Sequence, residues 1–238
     1  MRLLVTRPEA DARAFAERLA ERGVESVIAP VMTVVFDDHL DVGLDGVQAV
    51  LLTSANGARA LARCTERRDL SVVAVGPATA EEARELGFGS VATAGGDVEK
   101  LADLAIERLR PAAGPLLHVA GSVTAGDLAG RLKTAGFAVE RAVAYRAQVF
   151  ASLPAAAHEA LTHDAVQGAV FFSPRTVAVF VKLARAAGVE DRLQGLQAFC
   201  LSQAVAEASQ SAAWREVLVA AQPDGGALID LICSALTD

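Results

Sequence analysis

The chain alternates between short, almost wholly apolar runs and longer amphipathic segments rich in Ala, Glu and Arg. Residues 3–6 have the pattern of a strand buried on both faces. They lead through Arg7-Pro8-Glu9 into apolar positions spaced for a helix over about 10–22. Gly23 stands where helices commonly end, and 24–31 is the next apolar run. The same alternation predicts strands at 49–53, 72–75, 91–94, 116–120, 139–145, 169–172, 198–201 and 217–220. Between them it predicts helices at 58–64, 79–86, 100–109, 127–135, 177–186, 204–212 and 227–236. Strands without a polar face that alternate with helices call for parallel sheets covered on both sides.

The pattern also repeats. Leu3-Leu4, Arg18-Leu19 and Gly23 match Leu116-Leu117, Arg131-Leu132 and Gly136 at an offset of 113. Leu52-Thr53-Ser54 matches Phe171-Phe172-Ser173 at 119, and Val75–Ala80 matches Leu201–Ala206 at 126. Leu101, Asp103 and Leu104 match Leu228, Asp230 and Leu231 at 127. Four matches in one order, with offsets that only grow, point to two α/β units of common design.

In open parallel sheets ligands sit at the carboxyl ends of the strands. The residues there are Thr6-Arg7, Thr53-Ser54-Ala55-Asn56, Gly76-Pro77-Ala78-Thr79, Gly121-Ser122, Ser173-Pro174-Arg175 and Ser202-Gln203. Each group is small or polar and precedes a helix, whose unpaired N–H groups and partial positive charge suit carboxylates or phosphates. Any one of these residues could be an ordinary helix cap. The set, repeated in both units, favours an anion-binding cleft.

Composition narrows the function. Hydrophobic residues make up 53% of the 238 and charged residues 21%, with a mean hydropathy of +0.35, which excludes a disordered chain. The net charge of −7, without a basic run, argues against nucleic acid as a partner. The longest stretch free of acids and bases is 111–126, with His118, three glycines and two prolines, so no membrane span is expected. Scattered Cys64, Cys200 and Cys233, and an N-terminus too short in apolar residues for a signal peptide, point to a reducing, cytoplasmic setting. There is no G-x-G-x-x-G, no phosphate-binding loop of the Walker type and no nucleophile elbow. His39, His118, His158 and His163 lack metal spacing. No cofactor, metal or nucleophile is expected.

Leu4-Val5-Thr6-Arg7-Pro8, Leu52-Thr53-Ser54-Ala55-Asn56-Gly57, Val75-Gly76-Pro77-Ala78-Thr79-Ala80, Val143-Ala144-Tyr145-Arg146 and Phe171-Phe172-Ser173-Pro174-Arg175-Thr176 follow one another in an order that resembles the uroporphyrinogen-III synthase family. The resemblance runs from about Leu3 to Leu231. It implies a lyase that cyclises hydroxymethylbilane, a linear tetrapyrrole with eight carboxylates, to uroporphyrinogen III with loss of water and inversion of the last pyrrole ring. Positioning and electrostatics suffice for that reaction. It further implies a monomer of two flavodoxin-like parallel-sheet domains, 1–34 with 150–238 and 35–149, joined by a two-stranded linker with the active site in the cleft. The repeat alone leaves open whether the domains exchange segments or follow in sequence. By the same resemblance Thr79, Ser54 and Ser173 match substrate-contacting residues, and Tyr145, the one tyrosine, matches the residue that assists departure of the hydroxyl. Val205 stands where the second unit would carry the counterpart of Thr79, so a hydroxyl contact there is in doubt. Docking of the preceding pathway enzyme stays open. The competing reading is a non-catalytic, two-lobed binding or sensor protein for a small polyanion.

Overall fold

The computed structural model describes residues 1–124 and 126–235. In chain order the elements are β1 (Arg2–Val5), α1 (Glu9–Ala20), β2 (Glu25–Ile28), β3 (Met32–Phe36), β4 (Ala49–Leu52), α2 (Ala55–Cys64), β5 (Ser71–Ala74), α3 (Pro77–Glu85), β6 (Ser90–Thr93) and α4 (Val98–Arg108). They continue as β7 (Leu116–Gly121), α5 (Leu128–Thr134), β8 (Val139–Val149), α6 (Ala155–Thr162), β9 (Gly168–Phe171), α7 (Pro174–Ala186), β10 (Gln197–Cys200), α8 (Gln203–Ser209), β11 (Glu216–Val219) and α9 (Gly225–Ser234). Each predicted strand and helix is present. The expected last helical residue, Leu236, lies outside the described residues. Several helices begin earlier than their apolar spacing suggests, α3 and α7 among them, where Pro77 and Pro174 occupy the first helical turn and a missing N–H costs nothing. Strand β3 and helix α6 are additions. The Ala-rich α6 has little contrast between its faces, so its sequence carries no clear helical period.

Two compact units form: Met1–Thr33 with Gln148–Asp238, and Val34–Ala147. The chain passes from one to the other within β3 and again within β8. The sheet of the first unit has the order β11-β10-β9-β1-β2. Numbered along the unit's own chain this is the flavodoxin order 2-1-3-4-5. The second has the order β3-β8-β7-β4-β5-β6. Pairings from β6 through β8 are parallel, as are all those of the first sheet.

The sequence repeat explains both orders. The offsets equate β1 with β7, β4 with β9, β5 with β10 and α4 with α9. Substituting β7, β8, β4, β5 and β6 for β1, β2, β9, β10 and β11 turns the first sheet into the second, strand by strand, except for the edge strand β3, which has no counterpart. Leaving β3 aside, each sheet therefore takes two strands from one repeat and three from the other, and the two units are circular permutations of one architecture.

The cores follow the apolar runs. Leu3, Val5, Val170 and Phe199 pack with Phe15 and Leu19 of α1 and Leu228 and Ile232 of α9. In the second unit Val50, Leu52, Val72 and Val119 face α2 and α3, while Ala49, Leu51, Val73 and Leu116 face α4 and α5. Central strands buried on both faces leave their carboxyl ends and the loops beyond as the polar edge of each sheet.

Candidate functional site

Strand order reverses between β1 and β9 in the first unit and between β4 and β7 in the second, and such reversals open a crevice at the carboxyl edge. In the second unit this edge holds Thr53, Ser54, Gly121 and Tyr145. Ser54 caps α2, its Oγ accepting the Gly57 N–H at 3.1 Å. The same Oγ lies 2.7 Å from the Tyr145 hydroxyl. A β-bulge makes this contact possible. Ala120 pairs with Val143, but Gly121 pairs with Tyr145, so Ala144 is an extra residue in β8. Plain alternation would send Tyr145 to the face opposite Ala144. The bulge turns it to the face that carries Ala142, Ala144 and α2, where its ring packs 6.2 Å from that of Phe36. Gly121 is required opposite it: a Cβ there would stand 2.8 Å from Tyr145 Cε2.

On the other face of the same edge Thr53 Oγ1 lies 3.3 Å from Nε2 of His118, in the middle of β7. His118 is 3% exposed, and burial, assisted by the Arg141 charge, lowers its pKa to about 4. The imidazole is therefore neutral at ordinary pH. Arg141, its partner across the β7–β8 pairing, donates from Nη2 to the carbonyl oxygens of Gly121 at 2.7 Å and Ser122 at 3.4 Å. No local pattern in the sequence joins these residues. The β4–β7 and β7–β8 pairings bring them together across long stretches of chain.

In the first unit the Thr6 hydroxyl is fully buried and donates to Val170 O at 2.8 Å, tying β1 to β9 at the reversal point. Arg7 lies 4.2 Å over the Phe172 ring and 3.3 Å from Asp11. Ser173 caps α7, with Thr176 N at 3.2 Å and Thr176 Oγ1 at 2.8 Å. Arg175 and Gln203 are exposed in the first turns of α7 and α8, and Ser202 caps α8 without a side-chain bond.

Of the remaining expected residues, Asn56 accepts from Arg59 at 3.2 Å, Gly76 caps α3, Pro77 is exposed and so is Ser122. Thr79 is 6% exposed on the core side of α3, and its counterpart Val205 is 1% exposed. This position faces the interior in both units, so Thr6 and Thr79 could meet a ligand only through nearby backbone.

Helix starts divide by charge. Asp97, Asp127 and Asp224 cap α4, α5 and α9, and α1 opens with Glu9 and Asp11, so these N-termini face their own carboxylates. Helices α2, α3, α7 and α8 have Ser or Gly caps and no acid in the first turn. They keep a positive end for an external anion, one pair in each unit. Among the described residues no cluster of potential metal ligands occurs, and no helix is long and apolar enough to cross a membrane.

A model of the family described as Uroporphyrinogen-III synthase HemD matches residues 13–230. The chain belongs to the uroporphyrinogen-III synthase family. Among solved structures, the synthetase of Helicobacter pylori 26695 is 16% identical, with a TM-score of 0.64 over 99% of this chain and 100% of that one. A triple mutant of the Thermus thermophilus synthase is 18% identical, with a TM-score of 0.54 over 100% of both chains. At such identities the likeness is one of fold. A Methanocaldococcus jannaschii protein named "Putative uroporphyrinogen-III synthase" is 37% identical over 57 residues. That match spans 24% of this chain and 24% of that relative, about a quarter of each. Membership of the synthase family assigns the chain to an enzyme family of porphyrin biosynthesis and accounts for the paired α/β units.

Proposed function

We propose that this family member is a cytoplasmic lyase that closes hydroxymethylbilane to uroporphyrinogen III, releasing water and inverting the terminal ring. The observation that carries the reading is the 2.7 Å contact between Tyr145 Oη and Ser54 Oγ at the carboxyl edge of the second sheet. Ser54 Oγ also accepts the Gly57 N–H, which favours a geometry in which the phenol is held by the serine while its ring is wedged over Gly121.

The chemistry asks little of the protein beyond placement. The pyrrole nitrogen of the first ring pushes out the tail hydroxyl, whose C–O bond breaks as the oxygen takes up a proton and leaves as water. The phenol of Tyr145 donates a hydrogen bond to that departing oxygen. The cationic carbon so formed is attacked by the substituted carbon of the terminal ring, giving a spiro intermediate that rearranges to the inverted product. Choosing that carbon over the unsubstituted one is a matter of how the chain is folded before closure. The positive ends of α2, α3, α7 and α8 suit the substrate's carboxylates, which explains how a chain of net charge −7 could bind a polyanion.

The test is direct. Purified protein is given hydroxymethylbilane, the product is oxidised, and porphyrin isomers I and III are separated by chromatography. Isomer III in proportion to enzyme is expected; isomer I alone, at the spontaneous rate, would refute the reading.

A further inference from the structure

Below the loop that follows β7 lies a cavity of about 150 Å³, walled by His118, Thr124, Gly126, Asp127, Leu128, Ala129 and Arg141. Three features of its wall bear on what it could hold. Arg141 has no carboxylate within ion-pair distance among the described residues, and its only hydrogen bonds there are the two that Nη2 gives to backbone carbonyls. His118 is almost wholly buried, yet among the described residues its ring is bonded only through Nε2, to Thr53. Asp127, the one acid in the wall, is folded against Gly130 and accepts its N–H at 2.9 Å as the cap of α5. A buried, neutral imidazole and an exposed guanidinium with no carboxylate partner among the described residues thus share one wall of the cavity.

We propose that this cavity is a carboxylate pocket that receives one acidic side arm of the substrate, Arg141 supplying the charge and His118 a hydrogen bond. The proposal requires Thr53 to donate its hydroxyl to Nε2, which puts the ring proton on Nδ1 as a donor to a carboxylate oxygen. Arg141 lines the same cavity and has nitrogens besides Nη2 to offer that anion. The volume equals that of roughly five liquid waters. It admits the end of an acetate or propionate arm and stops a tetrapyrrole backbone at the rim. Thr53 adjoins Ser54, so an arm seated here would fix its ring relative to the Tyr145 hydroxyl. The pocket would thus act in choosing which rings lie near the phenol. As a substrate subsite the proposal rests on the synthase reading; as a carboxylate pocket it does not.

The test has two arms. In the first, 15N-labelled protein is titrated with sodium propionate against sodium chloride at equal ionic strength. The His118 ring signals, identified by their absence in His118→Gln, are followed. A saturating shift with propionate is expected in the wild type, with affinity about tenfold lower in Arg141→Gln, the loss of one charge-assisted hydrogen bond. No saturating shift in the wild type overturns the pocket, whatever the variants do. In the second arm Arg141→Gln is assayed with hydroxymethylbilane after thermal unfolding confirms its fold. KM should rise about 10- to 100-fold with kcat little changed, and Arg141→Lys should recover part of the loss. An Arg141→Gln enzyme with wild-type KM refutes the subsite. A wild type that forms no isomer III refutes the synthase reading instead, and the propionate titration still decides the pocket.

Discussion

In the proposed reaction Tyr145 and Ser54 divide the work at the carboxyl edge of the second sheet. Removing only the phenol hydroxyl, in Tyr145→Phe, keeps the ring over Gly121 and against Phe36. We expect kcat to fall about 10- to 10³-fold with KM and Tm little changed, and the residual product to remain isomer III. A Phe variant with full kcat would reduce Tyr145 to a packing residue. Ser54→Ala loses both the helix cap and the bond to the phenol. It should cost about 1 kcal/mol in denaturant unfolding and raise KM about 3- to 10-fold. Ser54→Asp restores a cap but sets a negative charge where a carboxylate would dock, so stability should recover while activity falls further. Equal activity of the two variants would place the docking site elsewhere. His118 gives the protein a pH signature. Its pKa is near 4 when folded and about 6.5 when unfolded, so between these values the unfolded chain binds more protons. Stability from this group is complete above pH 6.5 and is lost as the pH falls toward 4, by up to about 3 kcal/mol. Urea unfolding at pH 7, 5.5 and 4.5 should show that slope, and His118→Gln should lack it.

Among the elements, the bulge in β8 decides which face Tyr145 serves. Gly121→Ala puts a methyl group against the tyrosine ring, so the ring must shift and its contact with Ser54 is disturbed. We expect about 1–3 kcal/mol of destabilisation from the crowding and a kcat lowered as far as in Tyr145→Phe; a crystal structure of the variant would show the Ser54–Tyr145 bond broken. A variant with normal kcat would mean that the bond is dispensable. The sequence announces the strands because runs such as Leu3-Leu4-Val5 and Ala49-Val50-Leu51-Leu52 are buried on both faces and have no alternative reading. It announces the polar edge because Ser54, Ser173 and Ser202 cap helices directly after strands. It hides the bulge, because one extra residue in Val143-Ala144-Tyr145 leaves no mark on composition. It also hides the pairing of Thr53 with His118, which depends on β4 lying beside β7 rather than on any local pattern. Thr79 misleads for a related reason: its position in the first turn of α3 looks open, but packing turns it inward, where Val205 serves equally well in the other unit.

At the scale of the molecule, the second unit is one continuous stretch, Val34–Ala147, that carries every strand from β4 to β7 and most of β8. Its ends are already held together, the Asp37 N–H donating to Ala144 O at 2.9 Å. A fragment of residues 34–147 should therefore unfold cooperatively in urea by circular dichroism. A fragment without a sigmoidal transition would show that this unit depends on the rest of the chain. The first unit differs. Its β1 is flanked by β2 and β9, and β9 comes from the other end of the sequence. On the ribosome, where synthesis proceeds at ~5–20 residues per second, Leu3-Leu4-Val5 waits on the order of ten seconds or more for Gly168–Phe171 to be made. During that interval the second unit can complete itself while the amino-terminal strand has one free edge. The nascent protein is thus exposed to aggregation at β1, and that is where a chaperone has reason to hold it.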